Sequence, residues 1–190
     1  FETVTDLENA TKVMEQLYIN KAYKSHLKSR WNKQTIMLGF SDGTKDGGYF
    51  MANWAIFKAK EALTEISKKY NIDVVFFDGR GGPPARGGGK THQFYASLGP
   101  TIQDKEVQLT IQGQTISSNF GTPESSKYNL EQLISSGLSN KLQSEDNKDF
   151  SDSDRETMNT LATLSYQAYQ DFKRHPKFIP YLERISTLKY

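Results

Sequence analysis

The sequence predicts an α/β fold with a parallel sheet, on three observations. Two short apolar runs, Thr35-Ile36-Met37-Leu38-Gly39-Phe40 and Asp73-Val74-Val75-Phe76-Phe77, have the length and composition of buried strands. The strongest helical pattern of the chain, Tyr49 to Tyr70, lies between them. Each strand runs directly into a glycine-rich, charged loop followed by a helix, which is the order of βαβ units.

The elements follow in order. Leu7, Ala10, Val13, Met14, Leu17 and Tyr18 recur at spacings of three and four, so one helix is predicted over about Asp6 to Trp31. After the first strand, Ser41 to Gly48 reads as a polar turn with three glycines. The helix from Tyr49 ends at Lys68-Lys69 before Asn71, cations at a carboxyl terminus. Thr91 to Leu98 reads as a short helix. Val107-Gln108-Leu109-Thr110-Ile111 alternates, and Thr115-Ile116-Ser117 follows Gln112-Gly113-Gln114, which suggests a two-stranded excursion. Two helices are predicted over about Tyr128 to Leu142 and Asp152 to Arg174, the second capped by Asp152 or Ser153. The acidic, polar stretch Gln143 to Asp154 between them reads as a mobile loop. The chain is thus expected to be a single unit: βα units with site loops over 1–100, a β excursion over 101–120 and a helical part over 121–190.

Composition excludes several function classes. There is no cysteine among the 190 residues, hence no disulfide and no thiolate metal site. His26, His92 and His175 are far apart in sequence, which disfavours a histidine-based zinc site. Basic and acidic residues nearly balance, 24 against 22, which argues against nucleic acid or a membrane surface as the main partner. No apolar run approaches the ~20 residues of a membrane span. The first residue is Phe1 rather than methionine, so the chain is expected to be a piece of something longer, and its start says little about localisation.

The segment Asp78-Gly79-Arg80-Gly81-Gly82-Pro83-Pro84-Ala85-Arg86-Gly87-Gly88-Gly89-Lys90 holds two arginines among six glycines. Glycine loses much backbone entropy on ordering, so this density points to backbone that must approach a ligand closely. The forked guanidinium groups of Arg80 and Arg86 suit carboxylate or phosphate oxygens. Three other readings stand beside this one. A flexible linker rarely sits directly behind a buried strand. An RGG-type nucleic-acid segment would have more repeats and more charge. A nucleotide P-loop wants glycine where Pro84 stands, and proline lacks the N–H such a loop aims at phosphate.

The other strand-end loop is Gly39-Phe40-Ser41-Asp42-Gly43-Thr44-Lys45-Asp46-Gly47-Gly48. Asp42 is an oxygen donor of the kind Mg²⁺ prefers, and Lys45 can orient an anion. A turn with solvated charges and an Asp46 helix cap explains the same residues. Repetition favours the functional reading, because two consecutive strand–loop–helix units carry charged, glycine-rich loops on one predicted edge.

These two loops resemble those of the phosphoenolpyruvate carboxylase family. The opening Phe1-Glu2-Thr3-Val4-Thr5-Asp6-Leu7-Glu8-Asn9-Ala10 is similar too, and Gln112-Gly113-Gln114 resembles the family's Gln-Gly-Glu segment. The resemblance covers nearly the whole chain. It implies a partial (β/α)₈ TIM-type barrel from a large, mostly helical lyase. That enzyme joins bicarbonate to phosphoenolpyruvate, giving oxaloacetate and phosphate, which feeds the tricarboxylic acid cycle. By the resemblance, Glu2 and Asp42 hold Mg²⁺ or Mn²⁺, and Lys45 is the catalytic-loop lysine associated with bicarbonate. Arg80 binds phosphate of the substrate or of a carboxyphosphate intermediate. Arg86, with Gly81, Gly82, Gly87 and Gly88, completes the substrate loop. The resemblance also implies a cytoplasmic homo-oligomer whose site needs the rest of the same polypeptide, with neither nucleic acid nor membrane as partner. The piece alone is expected to lack the metal and to be inactive, with Glu2 frayed at the chain start. A freestanding anion-binding α/β domain is the alternative.

Three features depart from the family pattern. Asp78 stands where the family usually has histidine, which puts proton transfer or phosphate contact from that position in doubt. Pro83-Pro84-Ala85 should stiffen its loop. Between Glu2 and Asp42 the chain is a few residues longer than the family pattern, near Leu27 to Asn32. None of His26, His92 and His175 matches the family's essential histidine, which lies upstream, and the late arginine segment lies past Tyr190.

Overall fold

The computed structural model describes residues 1–82, 89–102, 105–142 and 150–186, with backbone alone at 81, 114, 140 and 141. Its elements are α1 (Val4–Ile19), α2 (Lys21–Ser29), β1 (Lys33–Leu38), α3 (Phe40–Gly47), α4 (Tyr49–Lys69), β2 (Asp73–Gly81), α5 (Thr91–Ala96), β3 (Val107–Ile111), α6 (Gly113–Phe120), α7 (Pro123–Leu142), α8 (Asp152–Arg174) and α9 (Phe178–Ile185). The fold is mixed α/β, mainly helical, around a three-stranded sheet of order β1-β2-β3.

Both strand pairs are parallel; the βαβ reading predicts this of β1 and β2 alone. β1 and β2 pair without slip, from Lys33 opposite Asp73 to Leu38 opposite Asp78. The β2–β3 ladder is irregular between Asp78 and Gly81, where the glycine-rich segment begins. On the free edge of β1, the Phe1 amino group donates to Met37 O at 2.9 Å and Phe1 O accepts from Gly39 N–H at 2.9 Å. That is the bonding of one more parallel residue pair. It ties down the start of the chain, where fraying was expected.

β1 shows why the helices lie where they do. Ile36 and Leu38 are buried while Thr35 and Met37 are exposed, the period-two pattern of a sheet covered on one face. Ile36, Leu38, Val74 and Phe76 join one core cluster with Leu7, Ala10 and Met14 of α1 and Ala55, Ala59 and Leu63 of α4. The spacing of the α1 residues is the one read from the sequence, and Ala55, Ala59 and Leu63 recur at the same helical interval.

Local departures have local causes. The single helix predicted over Asp6 to Trp31 breaks at Asn20, whose Oδ1 accepts from the N–H groups of Ala22 and Tyr23 and so caps α2. The α2–β1 connection, where the additional residues were placed, passes through Trp31 and Asn32, both at φ 55°. The polar turn predicted over 41–48 is helix α3, begun at Gly39 and ended at Gly48 with φ 79°. The two-stranded excursion does not form: Val107–Ile111 is the third parallel strand, and Gly113–Phe120 is helical. Ser151, not Asp152 or Ser153, caps α8, in a reciprocal capping box with Asp154. Residues 143–149 of the acidic stretch lie outside the described residues.

Candidate functional site

Glu2, Asp42, Lys45 and Arg80 all stand at the carboxyl edge of the parallel sheet. Glu2 follows the Phe1 pairing, Asp42 and Lys45 lie on α3 directly after β1, and Arg80 is the penultimate residue of β2. Glycine at 39 makes room for Glu2, since a Cβ there would stand 2.8 Å from Glu2 Cγ. A Cβ on Gly43, beside Asp42, would stand 3.5 Å from the Glu2 carbonyl oxygen. Glu2 therefore packs against both glycines that flank Asp42.

Asp42 sits in the first turn of α3, where the helix dipole favours a carboxylate. Its Oδ1 accepts from Lys45 Nζ at 2.5 Å, and both side chains are exposed. Among the described residues no group of three or more metal-ligating side chains occurs. Two carboxylates nonetheless fit Mg²⁺, which keeps several waters and takes only one or two protein carboxylates. The other end of α3 is held by α8. Tyr169 Oη and Lys173 Nζ donate to Lys45 O at 3.1 and 3.0 Å, and Gln170 Nε2 and Lys173 Nζ donate to Asp46 O at 2.7 and 2.9 Å. Asp46 does not cap α4; its Oδ2 accepts from Val4 N–H at 2.9 Å.

Arg80 is 6% exposed, and its Nε and Nη1 are buried without a hydrogen-bond partner. Its guanidinium lies 4.2 Å from the Phe94 ring centroid and 5.8 Å from that of Phe40. Burial pushes its pKa below the usual arginine value. Such a group is costly to the fold unless an anion completes it. It lines a cavity of about 600 Å³ with Tyr49, Phe57, Lys90, Phe94 and Phe150.

Asp78 is fully buried and lies in no position to meet an external anion. Its Oδ2 accepts from Lys60 Nζ of α4 at 2.7 Å and from Tyr95 Oη of α5 at 2.7 Å, while its Oδ1 has no partner. Lys60 is 1% exposed, and burial pushes its pKa down against the opposing field of Asp78. Burial likewise pushes the Tyr95 phenol far above its usual value. The doubt attached to Asp78 thus resolves into a structural fact: the residue serves a buried ion pair.

Arg86, Gly87 and Gly88 lie outside the described residues. Gly82 is buried against the end of β3, where a Cβ would stand 3.0 Å from Gln112 Oε1. Gln112 opens the Gln-Gly-Gln segment, so that motif belongs beside the glycine-rich one. Lys60, Tyr95, Gln112, Tyr169 and Lys173 all support this edge, and none was singled out as a site residue from the sequence. Gln112 alone carried a signal, its Gln-Gly motif. The others sit in ordinary helical patterns.

A family model described as phosphoenolpyruvate carboxylase matches residues 1–189. The chain is 36% identical over 190 residues to a phosphoenolpyruvate carboxylase of Corynebacterium diphtheriae, covering 99% of this chain and 21% of that protein. It is 36% identical over 192 residues to that of Rhodothermus marinus and 34% identical over 189 residues to that of Mycobacterium leprae, covering 20% of each. The chain thus spans about a fifth of the length of these relatives. With every described site loop at one sheet edge and the match running end to end, the chain belongs to the phosphoenolpyruvate carboxylase family.

Proposed function

We propose that this chain is the part of a phosphoenolpyruvate carboxylase that brings the metal carboxylates and the phosphate-binding arginine to the active site. The reaction is the carboxylation of phosphoenolpyruvate by bicarbonate to oxaloacetate and phosphate, a carboxy-lyase activity of the full-length protein. The observation that supports this most is Arg80, a buried guanidinium with two unpartnered nitrogens at the carboxyl edge of a parallel sheet. A partial (β/α)₈ barrel fits the same facts: three parallel strands, a fourth parallel pairing at Phe1, and an open face at Thr35 and Met37.

Each residue then has a physical task. Glu2 and Asp42 offer hard oxygen donors for Mg²⁺ or Mn²⁺, which supplies Lewis-acid polarisation of the enolate oxygen. Lys45, held to Asp42 and exposed, presents an ammonium to bicarbonate. Arg80 binds the phosphoryl oxygens and offsets charge as that group moves. Arg86 and its glycines act with Arg80 on the substrate anion, and backbone without side chains lets the segment come close to it. The remaining polypeptide supplies further groups, the active protein is a homo-oligomer, and its compartment is the cytoplasm. Among the described residues no helix is long and apolar enough to cross a membrane.

The test is Asp42→Asn in the full-length carboxylase. Activity should fall to background and stay there in excess Mg²⁺, because the amide cannot supply the second anionic donor. Turnover near that of the parent would remove Asp42 from the site.

A further inference from the structure

The glycine-rich segment begins within β2, just after Asp78, and β2 ends at Gly81; the next helix, α5, holds Phe94 and Tyr95. One carboxylate oxygen joins the two ends. Asp78 Oδ2 accepts from Tyr95 Oη across a sequence gap of 17 residues, and from Lys60 Nζ, which anchors both to α4. The three side chains are 0%, 6% and 1% exposed, so water does not compete for these bonds. Lys60 Nζ also lies 5.1 Å from the Phe76 ring centroid and 5.2 Å from that of Phe94.

Arg80 depends on the same arrangement. It lies two residues beyond Asp78 on the strand, and its guanidinium stacks over Phe94, the residue next to Tyr95. The bond from Tyr95 to Asp78 therefore sets how far the Phe94 ring stands from Arg80. With no hydrogen bond at Nε or Nη1, the guanidinium has ring contacts to hold it in place. A cation over an aromatic face is held within a few ångströms of the ring, and that hold is strongest where water is excluded.

We propose that Lys60, Asp78 and Tyr95 form a positioning cluster: a buried clamp that joins the two ends of the glycine-rich segment and fixes Phe94 as the platform on which Arg80 is presented to its anion. The cluster touches no substrate. It acts through Arg80, and its kinetic consequence rests on the carboxylase reading given above. The clamp itself does not.

Asp78→Asn would strand the Lys60 charge in the core, where a lone ion can unfold the protein. Tyr95→Phe is the cleaner variant, because it removes one hydroxyl and keeps the ring and the ion pair. Two readouts are taken on the full-length protein. Hydrogen–deuterium exchange should rise at least about tenfold at the amides of Gly79 to Gly82 and Gly89 to Tyr95, and stay unchanged in α1 and β1. In steady-state kinetics, Tyr95→Phe should lower kcat/KM for phosphoenolpyruvate about tenfold in the parent and leave it unchanged in an Arg80→Lys background. Non-additivity is the mark of one group acting through another. Additive losses, or unchanged exchange at both ends of the segment, would overturn the clamp. If the parent carboxylates no phosphoenolpyruvate, the carboxylase reading falls, and the exchange result still decides the clamp.

Discussion

At the residue scale, Arg80 decides most. A guanidinium that is 6% exposed with two unpartnered nitrogens does not stabilise this fold. Arg80→Met, an apolar side chain of similar reach, is therefore expected to raise stability by about 1 kcal/mol while abolishing carboxylation. Thermal denaturation and a turnover assay on the same variant decide it, and a drop of several degrees in Tm would make Arg80 a brace. The sequence singled that arginine out as a candidate anion ligand, because guanidinium beside glycine has few other uses behind a buried strand. Asp78 was legible only as a departure. Its partners Lys60 and Tyr95 lie 18 and 17 positions away in sequence, and no local pattern announces such a pairing.

At the scale of elements, α8 has a role that its sequence conceals. It holds the carbonyl end of α3 through Tyr169, Gln170 and Lys173, and it holds α4 through Arg155, which donates to both oxygens of Glu61 at 2.7 and 2.9 Å. Thr101 Oγ1 adds a third donor to Glu61. Burial raises the Glu61 pKa, but the hydrogen bonds from Arg155 and Thr101 and the Arg155 charge outweigh it, so the folded value lies below 4.5. A carboxyl depressed in the folded state stabilises fully above its unfolded value and loses that contribution as pH falls through the folded one. The contribution is thus present above about pH 4.5 and fades below it. Glu61→Gln should cost about 1 kcal/mol at pH 7, a Tm loss of ~3 °C for a chain this size, and flatten the decline of Tm in acid. A Tm–pH profile of the variant parallel to the parent's would exclude the pair. Helix α8 itself was read with its ends correct, whereas α3 was read as a turn. Glycines at 39, 43, 47 and 48 argue against a helix on propensity, and contacts with α4, α8 and Glu2 override it.

At the scale of the whole molecule, the helices beyond the sheet leave apolar side chains uncovered. Ile134 and Leu138 of α7, Leu164 and Phe172 of α8, and Ile179 and Tyr181 of α9 are each more than half exposed. A surface of this kind belongs against other polypeptide. The 190-residue chain expressed alone is expected to fold around its α1–α4–sheet core and to self-associate through these helices, which sedimentation velocity would register as species heavier than 21.6 kDa. It is also expected to carboxylate no phosphoenolpyruvate, because groups that act as a unit fail together when some are missing. Turnover within about a hundredfold of the ~10 s⁻¹ typical of enzymes would show that this chain holds the whole catalytic set.

The sequence by itself determined the parallel βα order of the first two strands and the family, since these rest on short-range patterns: strand-length apolar runs, helical spacing and contiguous motifs. Only the tertiary structure decided that Phe1 pairs beside β1 to place Glu2, and that Gln112 meets Gly82. It alone joined Lys60, Asp78 and Tyr95 around one carboxylate. These are contacts between positions remote in sequence. Burial makes them strong, and burial is a property that no single segment of the chain possesses until the others have packed around it.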